Sequence, residues 1–164
     1  MGEIFFYHLT RSPLEEALPM LLERALGAGW RVAVRGREEA RLAWLDEQLW
    51  LRGGEESFLP HGLAGGAHDA RQPILLTAAR APATEAPNRP ACLVSVDGAE
   101  VTAQEVALLE RAMILFDGND AQALERARGQ WRALTAAGVR AKYWSQQSGR
   151  WEMKAQSGEN GGKT

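Results

Sequence analysis

EIFFYHLTRSPLEEALPMLLERALGAGWRVAVRGREEARLAWLDEQLW, residues 3–50, is the stretch whose reading decides the fold class. Glu3–Leu9 is rich in aromatic and branched residues and holds no breaker, which predicts a buried strand. Ser12-Pro13-Leu14-Glu15 then reads as a capping box with proline at the first helical position. Leu14, Leu18, Leu21, Leu22 and Ala25 recur at helical spacing, Gly27 or Gly29 ends the run, and Pro19 inside it predicts a kink. Trp30–Arg35 reads as a second strand, and Arg37–Trp50 as a second helix with Leu42, Leu45 and Leu49 on one face. Strand–helix–strand–helix is the opening of a layered α/β fold with a largely parallel sheet.

Working outward, Gly53–Asp69 is glycine-rich and reads as an irregular loop carrying His61 and His68. Gln72–Ala78 and Ala91–Val96 read as short apolar strands, separated by a surface loop, Arg80–Pro90, that holds Pro82, Pro87 and Pro90. Thr102-Ala103-Gln104-Glu105 is a second capping box opening a short helix to about Glu110. Ala112–Phe116 reads as a strand and Asp117-Gly118 as a turn. Asn119 or Asp120 then caps a helix that runs to Ala137 and stops at Gly138. Val139–Ser145 and Arg150–Lys154 flank Ser148-Gly149 as a hairpin. The expected architecture is one α/β domain over residues 1–154, a three-layer α/β/α arrangement, followed by a disordered polar tail over residues 155–164.

The 164 residues suit one domain, and 45% hydrophobic with 24% charged residues is an ordinary globular balance. No run of eighteen apolar residues and no secretory leader pattern stands in the sequence, so the expectation is a cytoplasmic protein with no membrane contact. The single cysteine, Cys92, excludes an internal disulfide and a cysteine-based zinc cage. The net charge of −2 divides unevenly. Between Leu124 and Lys154 stand seven basic residues (Arg126, Arg128, Arg132, Arg140, Lys142, Arg150, Lys154) against Glu125 and Glu152, a local +5, which leaves −7 elsewhere. An acidic body with one basic face suits a single anionic partner better than a nucleic-acid groove.

Motifs for catalysis are missing. No G-x-G-x-x-G follows either early strand, so the fold reads as Rossmann-like without a nucleotide-binding loop. Gly162-Lys163-Thr164 is no phosphate loop, because Ser157 stands where the first glycine belongs and no helix follows. The histidines are scattered: His8 reads as a core or edge residue of the first strand, and His61 and His68 lack ligand-spaced partners, so no metal or cofactor is assigned. Ser57 does not stand in a nucleophile elbow, and Glu15-Glu16, Glu38-Glu39 and Glu55-Glu56 are neighbours that diverge by about 100° on a helix. A nucleotide-dependent or nucleic-acid-processing α/β enzyme is the alternative, and these absences weigh against it.

The aromatic residues point to binding instead. Six tryptophans is a high count, and tryptophan favours interfaces. Successive helical residues diverge by about 100°, so Leu49 and Trp50 cannot both face one core. On the last helix Ala121, Leu124, Ala127, Trp131 and Leu134 form an apolar stripe. Arg128 and Arg132, like charges one turn apart beside an indole, make a pairing suited to a carboxylate attached to an apolar group.

Leu45-Asp46-Glu47-Gln48-Leu49-Trp50 followed by Ser57-Phe58-Leu59-Pro60-His61-Gly62-Leu63-Ala64-Gly65 resembles the chi subunit family of bacterial DNA polymerase III, and the order of elements agrees over residues 3–145. The resemblance implies a non-catalytic accessory protein of the clamp-loader assembly. It implies a psi-subunit interface at Trp50, Phe58, Pro60 and His61. It also implies a pocket at Arg128, Trp131 and Arg132 for the acidic C-terminal tail of single-stranded-DNA-binding protein, with DNA engaged mainly indirectly. Leu124 stands where a member of the family has a lysine, and Trp131 where that member has a tyrosine, which keeps a flat aromatic wall.

Overall fold

A computed structural model describes residues 2–52 and 59–157. Glu3–Leu9 forms β1, Leu14–Gly27 α1, Val32–Arg35 β2, Glu39–Arg52 α2, His61–Leu63 β3, Ile74–Thr77 β4 and Cys92–Ser95 β5. Ala103–Ala107 forms α3, Arg111–Asp117 β6, Ala121–Ala136 α4, Arg140–Ser145 β7 and Glu152–Ser157 β8. The strands build one sheet in the order β3-β4-β2-β5-β6-β1-β7-β8, parallel throughout except for the antiparallel β7–β8 hairpin. Helices cover both faces, as the sequence predicts for a three-layer α/β/α fold.

The pleat of β1 sorts its side chains between the two layers. Phe5, Tyr7 and Leu9 join Leu18, Leu22, Leu42, Leu45 and Leu49 of α1 and α2. Ile4 and Phe6 join Val106 of α3 and Ala127 and Leu134 of α4. Such strands are apolar on both faces because a parallel sheet is covered twice. Each fully buried side chain of this size contributes about 1.5–3 kcal/mol.

Three local readings change. Ser12 does not cap α1: Pro13 stands at the N-cap without a side-chain bond, and the Ser12 hydroxyl accepts from Nε2 of Gln146 at 3.1 Å. Oε1 of the same Gln146 accepts from the backbone N–H groups of Thr10, Arg11 and Ser12, so a residue at the end of β7 closes the β1–α1 turn. Within the stretch read as loop 53–69, His61–Leu63 pairs in parallel with β4 and forms one edge of the sheet. At the other edge β8 runs through Ser157, so Ala155, Gln156 and Ser157 pair with β7 instead of opening a disordered tail.

The second capping box is present in full. Thr102 accepts from the Glu105 N–H, and Glu105 accepts from the Thr102 N–H at 2.8 Å. Glu105 also takes a bidentate pair from Arg35 of β2, both contacts 2.9 Å, and the Ala83 N–H at 2.9 Å. Arg35 donates further to the carbonyls of Glu100 and Ala81, so one buried ion pair ties β2, α3 and the proline-rich loop together. Burial alone would raise the Glu105 carboxyl; the Arg35 guanidinium and the two backbone donors outweigh it and hold it below the usual carboxylate range.

After β1 and β2 the chain turns to one face of the sheet, and after β5 and β6 to the other. At the carboxyl ends of these four neighbouring strands the diverging connections leave a cavity of about 680 Å³.

Candidate functional site

Asp120 starts α4 by accepting from the N–H groups of Gln122 and Ala123, and Gly138 (φ +88°) lets the chain leave it. The 3.6-residue repeat then turns Ala127 and Leu134 to the sheet and leaves Leu124 and Trp131 half-buried along one flank. Trp131 meets Phe6 edge-on with centroids 5.3 Å apart and Tyr143 of β7 edge-on at 5.9 Å. Arg128 is exposed one turn before it, with no hydrogen-bond or ion-pair partner among the described residues. Arg132 is also exposed and reaches Glu125 at 3.6 Å, both side chains 67% exposed, which makes it a weak surface pair. The structure therefore brings Arg128, Trp131 and Arg132 together on one flank of α4, above an aromatic floor.

Three members of that floor, His8, Phe116 and Tyr143, escape sequence reading. β1 and β7 pair with Phe6 opposite Tyr143, which sets Tyr143 beside His8, and β6 places Phe116 opposite His8. Tyr143 Oη and His8 Nδ1 are hydrogen-bonded at 2.9 Å, the phenol donating when Nδ1 is bare, and the His8 ring stacks on Phe116 at 5.1 Å. Burial above all, with Arg128 adding its repulsion, holds the His8 imidazole below its ordinary value. Burial likewise pushes the Tyr143 phenol up, and Arg128 opposes that. A neutral, aromatic bed under an unpaired guanidinium favours an anion with an apolar attachment. Only strand register joins these residues, which is why no local motif reveals them.

At the opposite edge of the sheet, the last turn of α2 buries Leu49 and leaves Trp50 54% exposed. Adjacent Leu51 (75%) and Leu63 of β3 (40%) are exposed as well. His61 is not a surface residue: its side chain is fully buried, Nδ1 lies 2.6 Å from the Leu59 carbonyl, and Nε2 lies 3.1 Å from the Asp46 carbonyl and 3.3 Å from Oδ1 of Asp46. Its ring underlies Trp50, so it supports the indole and presents nothing itself. Burial raises the Asp46 carboxyl, and the neighbouring His61 opposes the rise. Pro60 is half-buried beside it, whereas Phe58 lies outside the described residues. From β3 to β7 is six strand spacings, so this patch and the basic flank of α4 stand roughly 30 Å apart, on opposite layers.

Other chemistry finds little support in these surroundings. Cys92 is buried in β5, and that burial pushes its thiol up to about 12, far from a reactive thiolate. No helix among the described residues is long and apolar enough to cross a membrane.

Among known families, residues 1–142 match the one described as DNA polymerase III chi subunit, HolC. The match covers the Trp50 patch and Arg128, Trp131 and Arg132, and ends within β7, one residue before Tyr143. No curated protein matches the chain.

Proposed function

Because the chain belongs to the chi subunit family of DNA polymerase III, we propose that it is a non-catalytic, cytoplasmic accessory protein linking the clamp-loader assembly to coated single-stranded DNA. In this reading Arg128 and Arg132 pair with the terminal carboxylate and acidic side chains of the tail of single-stranded-DNA-binding protein. Trp131 walls a pocket for the tail's last apolar residue. Trp50, Phe58 and Pro60 meet the psi subunit, with His61 beneath them. The observation that carries the reading is the unpaired Arg128 beside Trp131, over the Phe6–Tyr143 floor. Two surfaces roughly 30 Å apart on opposite layers of one sheet also leave room for both partners at once, which an adaptor requires. DNA is engaged mainly through the coating protein, because an acidic body opposes a bare polyanion.

Titration of a labelled acidic tail peptide and of a single-stranded oligonucleotide against wild type and Arg128→Ala tests this. A charge-assisted hydrogen bond contributes about 1.5–3 kcal/mol, so the substitution should weaken peptide binding tenfold or more, and added salt should weaken it further. Equal peptide affinity in both proteins, or an oligonucleotide bound more tightly than the peptide, overturns the assignment.

A further inference from the structure

We propose that the cavity at the carboxyl ends of β1, β2, β5 and β6 binds a free phosphomonoester of nucleotide size, held between Arg37 and Arg126 above Gly98. Its volume of about 680 Å³ lies within the roughly 300–1,000 Å³ of small-molecule pockets. Its place is where connections diverge to opposite faces of an open parallel sheet, the position where such sheets hold ligands.

At one point of this lining two guanidiniums converge, which makes a local anion site. Arg37 precedes α2 in one helical layer and Arg126 lies on α4 in the other, yet both reach over the same residue. A Cβ on Gly98 would stand 3.4 Å from Nη1 of Arg126 and 3.7 Å from Nη1 of Arg37. Neither guanidinium has a hydrogen-bond or ion-pair partner among the described residues. Five carboxylates also line the cavity: Asp97 takes two bonds from Arg41, Glu15 and Glu38 act on that same Arg41, Asp117 accepts the Asn119 N–H, and Asp120 caps α4. Two converging like charges repel unless an anion stands between them. Two guanidinium forks match a tetrahedral dianion, which offers three oxygens to them, better than they match a single carboxylate.

The floor is built to leave that space open. Asp97 (φ +54°) and Gly98 (φ +80°) form the centre of a turn closed by the Ala99 N–H donating to the Val96 carbonyl. Asp97 accepts a conformation unusual for a side-chain-bearing residue while Arg41 holds its carboxylate. A side chain at Gly98 would press on Cδ of Arg126 at 3.1 Å and fill the gap between the guanidiniums. Pro13 and Leu14 supply apolar wall for an organic moiety. The site is separate from the flank proposed for the tail, because Arg126 points about 160° away from Arg128 around α4.

Calorimetric titration of the full chain at low salt with a nucleoside 5′-monophosphate, the bare nucleoside and inorganic phosphate tests the assignment. The monophosphate should bind at least tenfold more tightly than the nucleoside. Arg37→Gln and Arg126→Gln, each checked for an unchanged thermal melt, should each lose at least tenfold, whereas Arg140→Gln at the far end of β7 should not. Tail-peptide affinity should stay unchanged in Arg126→Gln, which separates this site from the function proposed above. No binding of monophosphate or inorganic phosphate at millimolar concentration overturns the proposal, as does equal binding of nucleotide and nucleoside, or full affinity in both arginine variants. A 5′-phosphorylated oligonucleotide that binds more tightly than the mononucleotide also overturns it, by assigning the clamp to a DNA end.

Discussion

Trp50 lies over His61 with ring centroids 4.2 Å apart and planes inclined by 33°, an exposed indole resting on a buried imidazole. The pair divides two tasks between two residues: one exposes apolar area, and the other fixes where that area points.

Trp50→Ala should therefore cost little stability, about 0.5–1.5 kcal/mol for the lost ring pair, while psi-subunit binding loses about 2–4 kcal/mol, as for a hot-spot aromatic. His61→Ala should show the opposite balance, losing about 1–3 kcal/mol of stability as the Leu59 and Asp46 carbonyls lose their buried partner. Denaturant midpoints and psi-binding isotherms on both variants check this. A Trp50→Ala protein that unfolds like a core deletion while binding normally would place Trp50 in the core after all.

Arg35 and Glu105 carry a dependence on acid. The folded carboxyl sits below its ordinary value, so its stabilisation is complete above about 4.3, the unfolded glutamate value, and is lost as pH falls through the folded value. At neutral pH Glu105→Gln should cost about 3–5 kcal/mol, because it strands a buried guanidinium. The gap between the variant and wild type should narrow as pH falls below about 4. Thermal melts between pH 7 and pH 3 measure it, and a gap that stays constant rejects the pair as its source.

Gly118 sets the aromatic floor from behind. A Cβ there would overlap the His8 ring, so Gly118→Ala must displace the imidazole from Tyr143. Overpacking of this kind costs about 1–3 kcal/mol, and tail-peptide affinity should fall with it. In a His8→Ala background the same substitution should cost much less. A double-mutant cycle by chemical denaturation reads that coupling, and additive effects would separate the two residues.

What was legible in the sequence follows the range of the interactions involved. β1, α2, the Thr102 capping box and the Asp120 cap rest on neighbours within a turn or a strand, and their readings agree with the structure. The exposure of Trp50 against buried Leu49 followed from helical phase alone. Ser12 was misread because its hydroxyl is claimed by Gln146, 134 positions away. β3 escaped because three residues around Gly62 carry no period, and pairing with β4 alone makes them a strand. The basic flank of α4 is local and was visible, whereas its floor of His8, Phe116 and Tyr143 exists only once three distant strands lie side by side.

β1 is the first strand of the chain and stands well inside the sheet, with Glu3 opposite Arg111 on one side and Arg140 on the other. At ordinary rates of protein synthesis, its nearer partner follows after roughly 5–20 s. Parallel pairing across such separations is intrinsically slow as well. A nascent chain thus displays an aromatic strand with two open edges for that whole interval, a natural substrate for chaperones. The aromatic floor of Phe6, His8 and Tyr143 closes only once β7 lies beside β1, so under the function proposed above tail-peptide capture would require that late pairing.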